Sequence, residues 1–98
     1  MKLDLTQIDD VIHSRLRLGI MVILSDAESA TFAELKEQLG ATDGNLSVQL
    51  QKLEGAGYIC LIRRLVGRKT ETRAELTREG REAFAAYAQM MSALIGKT

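Results

Sequence analysis

The sequence predicts a mainly α fold of the α+β kind: three helices, a β-hairpin, then one long helix. Three observations predict it. Apolar residues recur at helical spacing before residue 58 and again after residue 77. Between Tyr58 and Leu76 the texture shifts to β-branched and aromatic residues around a glycine-containing basic turn. Threonines that can cap and glycines that can stop stand where those patterns begin and end.

In the first helix Ile8, Ile12, Leu16, Ile20 and Ile23 form the stripe, with Thr6 as the expected cap. Beyond Leu16 it is apolar nearly all round, which places it in the middle of the domain. Asp26 to Ser29 reads as a loop. In TFAELKEQLG, Phe32, Leu35 and Leu39 share a face, Thr31 and Glu34 form a capping box, and Gly40 ends the helix. A third helix follows, with Leu46, Leu50 and Leu53 at i, i+4 and i+7 and a stop at Gly55-Ala56-Gly57. The hairpin spans about 58–76, with its tip near Gly67-Arg68-Lys69-Thr70. Thr77 is expected to cap the last helix, about 78–95, whose Phe84, Tyr87, Met91 and Leu94 are spaced as a short heptad seam.

A chain of 98 residues without proline or a low-complexity tract is expected to form a single domain, 1–98. The longest apolar run, Leu18 to Leu24, contains a glycine and is too short to span a bilayer. The opening MKLDLTQIDD carries acids and no apolar signal region. One cysteine excludes an internal disulfide and fits a reducing compartment, so the expected location is cytoplasmic, with no membrane. Formal net charge is zero, yet its distribution is uneven. From Gly57 to Arg73 there are five cations and one anion; from Ser25 to Ala56 there are six acids and two lysines.

Catalysis finds little support. His13 is the only histidine, and no partner for it is identifiable, so it reads as a structural residue at or near the surface. Cys60, in a run of Ile and Leu, reads as a buried small apolar side chain. One Cys and one His cannot make a Cys/His metal site within a subunit, and no phosphate-binding glycine loop or nucleophile–base set is present. No cofactor or metal is expected, and the chain does not read as an enzyme.

The third helix offers a working surface instead. With its leucines inward, Gly44, Val48 and Gln51 project outermost, Asn45, Ser47 and Lys52 flank them, and Gln49 lies nearer the core edge. Amides suit adenine edges, Val48 can touch a thymine methyl, and the Thr42 hydroxyl can reach a phosphate. Taken alone, such a face is usually just a solvated helix surface. Its context is more specific. Two short helices meet at a Gly40-Ala41-Thr42 turn, as in a helix-turn-helix (about 31–56), and a hairpin with a basic tip follows at once. Lysines and arginines on such a hairpin otherwise serve to guard a sheet edge.

In IHSRLRLGIMVIL, FAELKEQLGATDGNLSVQLQKLEGAGYI and VGRKTETRAELTREGREAF, the chain resembles the compact single-domain winged helix-turn-helix regulators of the MarR/ArsR type. The likeness runs over about residues 8–95. It implies transcriptional control, repression being expected, by a homodimer on double-stranded DNA. Thr42 to Lys52 would sit in the major groove, with Arg68 and Lys69 on the hairpin wing. Arg63, Arg64, Thr70 and Arg73 extend the expected DNA contacts, and Asn45, Val48, Gln49 and Lys52 are expected to discriminate bases. Two departures stand out: Thr70, where relatives often carry proline, implies a more mobile wing tip, and Val48 replaces a polar or basic residue, so specificity does not transfer. The same likeness implies a C-terminal dimerisation helix. Ile8, Ile12, Phe84, Tyr87, Met91, Leu94 and Ile95, with Met90, are the expected interface, and a small-molecule effector could lie there, although no residue marks one. The zero net charge keeps a second reading open, a winged-helix protein-interaction module without specific DNA binding.

Overall fold

A computed structural model of the chain describes residues 4–96. Its elements run α1 (Arg15–Ala27), β1 (Ser29–Thr31), α2 (Phe32–Leu39), α3 (Asp43–Gly55), β2 (Ile59–Val66), β3 (Lys69–Leu76) and α4 (Arg78–Gly96), after a 3-10 turn at Leu5–Gln7. One face of an antiparallel sheet in the order β1-β3-β2 closes over the helices.

Two elements differ from the sequence expectation. The first helix begins at Arg15 rather than near Ile8, and Thr6 lies inside a short turn capped by Asp4 instead of capping a helix. The reason is local. The Asp9 carboxylate accepts the backbone N–H groups of Val11 (2.8 Å) and Ile12 (3.2 Å), offering that stretch a hydrogen-bonded turn in place of helix. Ser14, extended at φ −152, then starts the helix. The second difference is β1, where a loop was expected. Glu28 ends α1 at φ 68, an uncommon conformation for a residue with a side chain, and turns the chain so that Ser29, Ala30 and Thr31 pair with Glu75, Ala74 and Arg73.

The helix-turn-helix forms as expected. Thr31 and Glu34 make the reciprocal capping box, and the Thr31 N–H and hydroxyl hold the Glu34 carboxyl below its ordinary pKa. Gly40 closes α2 in the left-handed region at φ 62, and the Thr42 hydroxyl accepts the Asn45 N–H at 3.2 Å to start α3. Ile20, Met21 and Leu24 of α1 meet Leu35 of α2 and Leu46, Leu50 and Leu53 of α3, all at most 2 % exposed. Burying each such side chain stabilises the fold by about 1.5–3 kcal/mol relative to exposure. Ile59 and Ala74 close that core from the sheet.

The hairpin pairs Ile59 with Leu76 through Val66 with Lys69, leaving a two-residue turn, Gly67-Arg68, with Gly67 at φ 66. Lys69 and Thr70 therefore belong to β3 rather than to the tip. The junction to α4 is tightly knit. The Thr77 N–H donates to the Tyr58 carbonyl (3.0 Å), its hydroxyl donates to the Gly57 carbonyl (2.6 Å), and the same hydroxyl accepts the Gly80 N–H (2.9 Å). A methyl group on Gly80 would lie 2.0 Å from the Tyr58 carbonyl oxygen.

On α4, Gly80 and Tyr87 are the buried residues, and from Ala88 to Gly96 none is. The helix thus runs on beyond its own core. The radius of gyration, 14.8 Å, and the long dimension of 58 Å agree with this; a compact domain of this length would have a radius near about 13 Å.

Gly80→Ala should cost at least about 2 kcal/mol, since backbone rather than a flexible side chain stands in the way. Thermal melting checks it against Gly44→Ala, where an added methyl meets nothing and helix propensity gains up to about 1 kcal/mol. Equal melting temperatures for the two variants would refute the tight junction.

Candidate nucleic-acid interface

Helix α3 hangs on its leucines and shows its other side to solvent. Gly44, Asn45, Val48, Gln51 and Lys52 are exposed, Ser47 and Gln49 are half-buried, and Thr42 stands exposed at the N-cap. Val48 is 47 % exposed, a large apolar group held on an otherwise polar face. Asp43, in the first turn, favours the helix dipole but would repel a phosphate; Lys36 neutralises it at 2.8 Å.

Gln49 is not a free side chain. Its Oε1 accepts from Arg17 Nη1 at 2.5 Å, and its Nε2 donates to Asn45 Oδ1 at 3.0 Å. Arg17 itself is pinned, its Nε donating to the Val11 carbonyl at 2.5 Å and its Nη2 to the Asp10 carbonyl at 3.5 Å. The segment 8–14 carries two further links. The Tyr58 hydroxyl donates to Asp9 Oδ2 at 2.5 Å, and His13 Nδ1 shares a 2.8 Å hydrogen bond with the Tyr87 hydroxyl. One short turn thereby touches α3, the root of the wing and α4. Sequence reasoning missed this set. The separations of 32, 49 and 74 residues leave no periodic signal.

On the wing, pairing register sorts the cations by face. Arg63 and Leu65 lie opposite Thr72 and Thr70 on the face that begins at buried Ile59, whereas Arg64 and Val66 lie opposite Glu71 and Lys69 on the other. Glu71 takes up part of the charge, with Arg64 at 3.3 Å and Arg73 at 3.8 Å. Arg73 also donates to Ser29 Oγ at 3.1 Å, which fastens it to β1 at the base of the wing. Arg63, Arg68 and Lys69 are exposed and form no ion pair among the described residues. Beside them Ile62, Leu65 and Val66 are 40 %, 75 % and 50 % exposed, an apolar component that the charge pattern did not announce.

Three expectations are corrected. Cys60 is exposed, not buried: its strand covers one face only, so Ile59 points inward and Cys60 outward. Ile12 is completely enclosed and Tyr87 is 7 % exposed within the subunit, so neither is available to a second copy. Phe84 and Met91 keep part of their surface while packing against the core, Ile8 is half-buried, Met90 and Leu94 are half-exposed, and Ile95 is 66 % exposed. Among the described residues no group of three or more His, Cys, Asp and Glu could hold a metal ion, and no helix is long and apolar enough to cross a membrane.

Comparison with known proteins agrees with this geometry. A family model described as a winged helix DNA-binding domain matches residues 16–95. An uncharacterized protein of Methanocaldococcus jannaschii is 35 % identical over 77 residues, covering 79 % of this chain and 84 % of that protein. Among solved structures, a transcriptional regulator homologue from Pyrococcus horikoshii OT3 superposes with a TM-score of 0.83 at 26 % identity, covering 89 % of this chain and 86 % of that one. The YusO protein of Bacillus subtilis shares the fold at a TM-score of 0.74 and 17 % identity, over 92 % of this chain and 60 % of that one.

The Tyr58–Asp9 bond gives a pH signature. That hydrogen bond, followed by burial and by the Asp9 charge, pushes the Tyr58 pKa up to about 12. A phenol raised in the folded state contributes stability that is whole below its unfolded pKa of about 10 and is lost as pH climbs from there toward the folded value. Denaturant titrations between pH 8 and 12 should show a loss of stability in this window that Tyr58→Phe lacks. Parallel curves for the two proteins would dissociate Tyr58 from it.

Proposed function

Because the chain belongs to the winged helix DNA-binding domain family, we propose that it is a homodimeric transcriptional regulator that represses by occupying a palindromic operator. The observation that carries the reading is the small, polar outer side of α3 beside a hairpin with unpaired cations at its exposed end. Helix α3 would enter the major groove, where Asn45, Val48, Gln49 and Lys52 meet base edges, with Thr42, Gly44 and Ser47 close to the backbone. Arg63, Arg68 and Lys69 would take phosphates. Arg64 and Arg73, shared with Glu71, contribute less unless that acid is displaced.

The distal part of α4 supports the dimer. Its last two turns have no fully buried residue in their own subunit, yet carry Met90, Met91, Leu94 and Ile95, of which only Met91 packs against the core. Together with Phe84 and Ile8 these would meet their symmetry mates, and a two-fold axis would set the two α3 helices about 34 Å apart, one DNA turn.

A chain acting only as a protein-interaction module would bind its partner with little regard to salt, which separates the two readings. With three phosphate contacts per subunit, a dimer's DNA affinity should fall about 10³-fold between 50 and 200 mM salt. Arg68→Ala with Lys69→Ala should flatten that slope by about two per subunit; an unchanged slope removes the wing from the backbone. Leu94→Glu places charge in the proposed seam without touching the core, so sedimentation should show monomers and operator affinity should drop. A persistent dimer would locate the interface elsewhere. Selection from a random DNA pool should enrich a palindrome with half-sites about ten base pairs apart.

A further inference from the structure

We propose that Arg17 sets the direction in which the two amides of α3 face a base, making it a positioning residue for sequence preference although it lies outside the helix-turn-helix. The inference rests on the reading of α3 as the base-reading helix. Arg17 is held by the Val11 and Asp10 carbonyls, so that Nη1 is aimed at Gln49. A guanidinium has donors only, whereas a glutamine amide has one end of each kind. Gln49 must therefore turn Oε1 to Arg17, which sends Nε2 toward Asn45 at 3.0 Å. A donor arriving there requires Asn45 to answer with Oδ1. Its Nδ2 then points away from the pair, and Asn45 is exposed to the side where a groove would lie.

A one-way donor at one end of the chain thus fixes what is offered at the other. Without Arg17, both amides could flip together at no loss of mutual bonding, and Asn45 would present donor and acceptor about equally. With it, Asn45 presents an NH₂. In the major groove that group finds acceptors on guanine (O6, N7), thymine (O4) and adenine (N7), whereas cytosine offers it only the N4 amine, a donor. The position facing Asn45 should accordingly discriminate against cytosine by about tenfold.

The test selects bound DNA from a random pool with the full chain and four variants. Asn45→Ala marks the position by losing its preference. Arg17→Lys keeps a donor-only group and should retain the bias against cytosine, whereas Arg17→Met should flatten it to within about twofold while affinity for non-specific DNA stays within about threefold. Gln49→Glu keeps Arg17 satisfied but makes residue 49 an acceptor toward Asn45. Asn45 must then donate to it and present Oδ1 instead, and the bias should invert, cytosine and adenine with their exocyclic amines being favoured over guanine and thymine. Melting curves identify any variant that fails to fold; Gln49→Glu, which keeps the Arg17 pairing, carries the test if Arg17→Met does. Arg17→Met with the parental preference, Arg17→Lys as indiscriminate as Arg17→Met, or Gln49→Glu without inversion would each overturn the inference and leave DNA binding intact. A parent chain that enriches no sequence would overturn both.

Discussion

Helix α4 can start where it does only because Gly80 has no side chain to set against the Tyr58 carbonyl. That close approach lets Thr77 bond to Gly57 and Tyr58 at once, so the end of α3, the root of β2 and the first turn of α4 share one small knot of backbone. The relative placement of three functional parts follows. Helix α3 is oriented by its leucines, the wing leaves the knot through Ile59, and α4 departs with its apolar side beyond the core. A distortion of the knot would move the parts together, which is why a methyl group at Gly80 is expected to cost as much as a deleted core side chain.

A second set of links joins the segment before α1 to the same framework. Asp9 holds Tyr58, Arg17 holds Gln49, and His13 meets Tyr87. These bonds are polar and partly wet, so each contributes modestly to stability, about 1 kcal/mol for a typical one. Their weight is geometric. The Arg17 link fixes Gln49, and through it Asn45, on α3, and no buried side-chain polar atom among the described residues is without a partner. If that face meets base edges as proposed, it benefits from rotamers settled before the encounter.

Much of this was legible in the sequence, for identifiable reasons. The capping box at Thr31 and Glu34, the Thr77 cap, the Gly40 stop and the Leu46–Leu50–Leu53 seam are all local rules that tertiary packing had no cause to override. The strand alternation around Gly67 was legible too. What escaped was what local rules do not encode. Ile8 and Ile12 fit a helical stripe, but a single Asp9 carboxylate offered the backbone a competing turn. Strand β1 is three residues long and exists only because β3 is there to pair with it. Cys60 looked buried because an apolar run does not say which face of a sheet is covered. Of the site, the exposure of α3 and the wing cations could be read off periodicity. The engagement of Gln49, and the sharing of Arg64 and Arg73 with Glu71, needed three dimensions.

The chain carries no net charge, while four exposed cations, Arg63, Arg64, Arg68 and Lys69, stand close together on the wing. Seen from afar such a molecule has no monopole, only a dipole, and in physiological salt that field fades within about 8 Å. On the proposed reading, DNA would therefore not draw the protein in from a distance but would turn the wing forward once the two are nearly touching. On the same reading, few backbone contacts per subunit would also mean brief stays on any sequence that α3 does not match. The search this favours is one of frequent release and recapture at scattered places along the duplex, rather than long one-dimensional sliding, and it leaves little of the protein idle on irrelevant DNA.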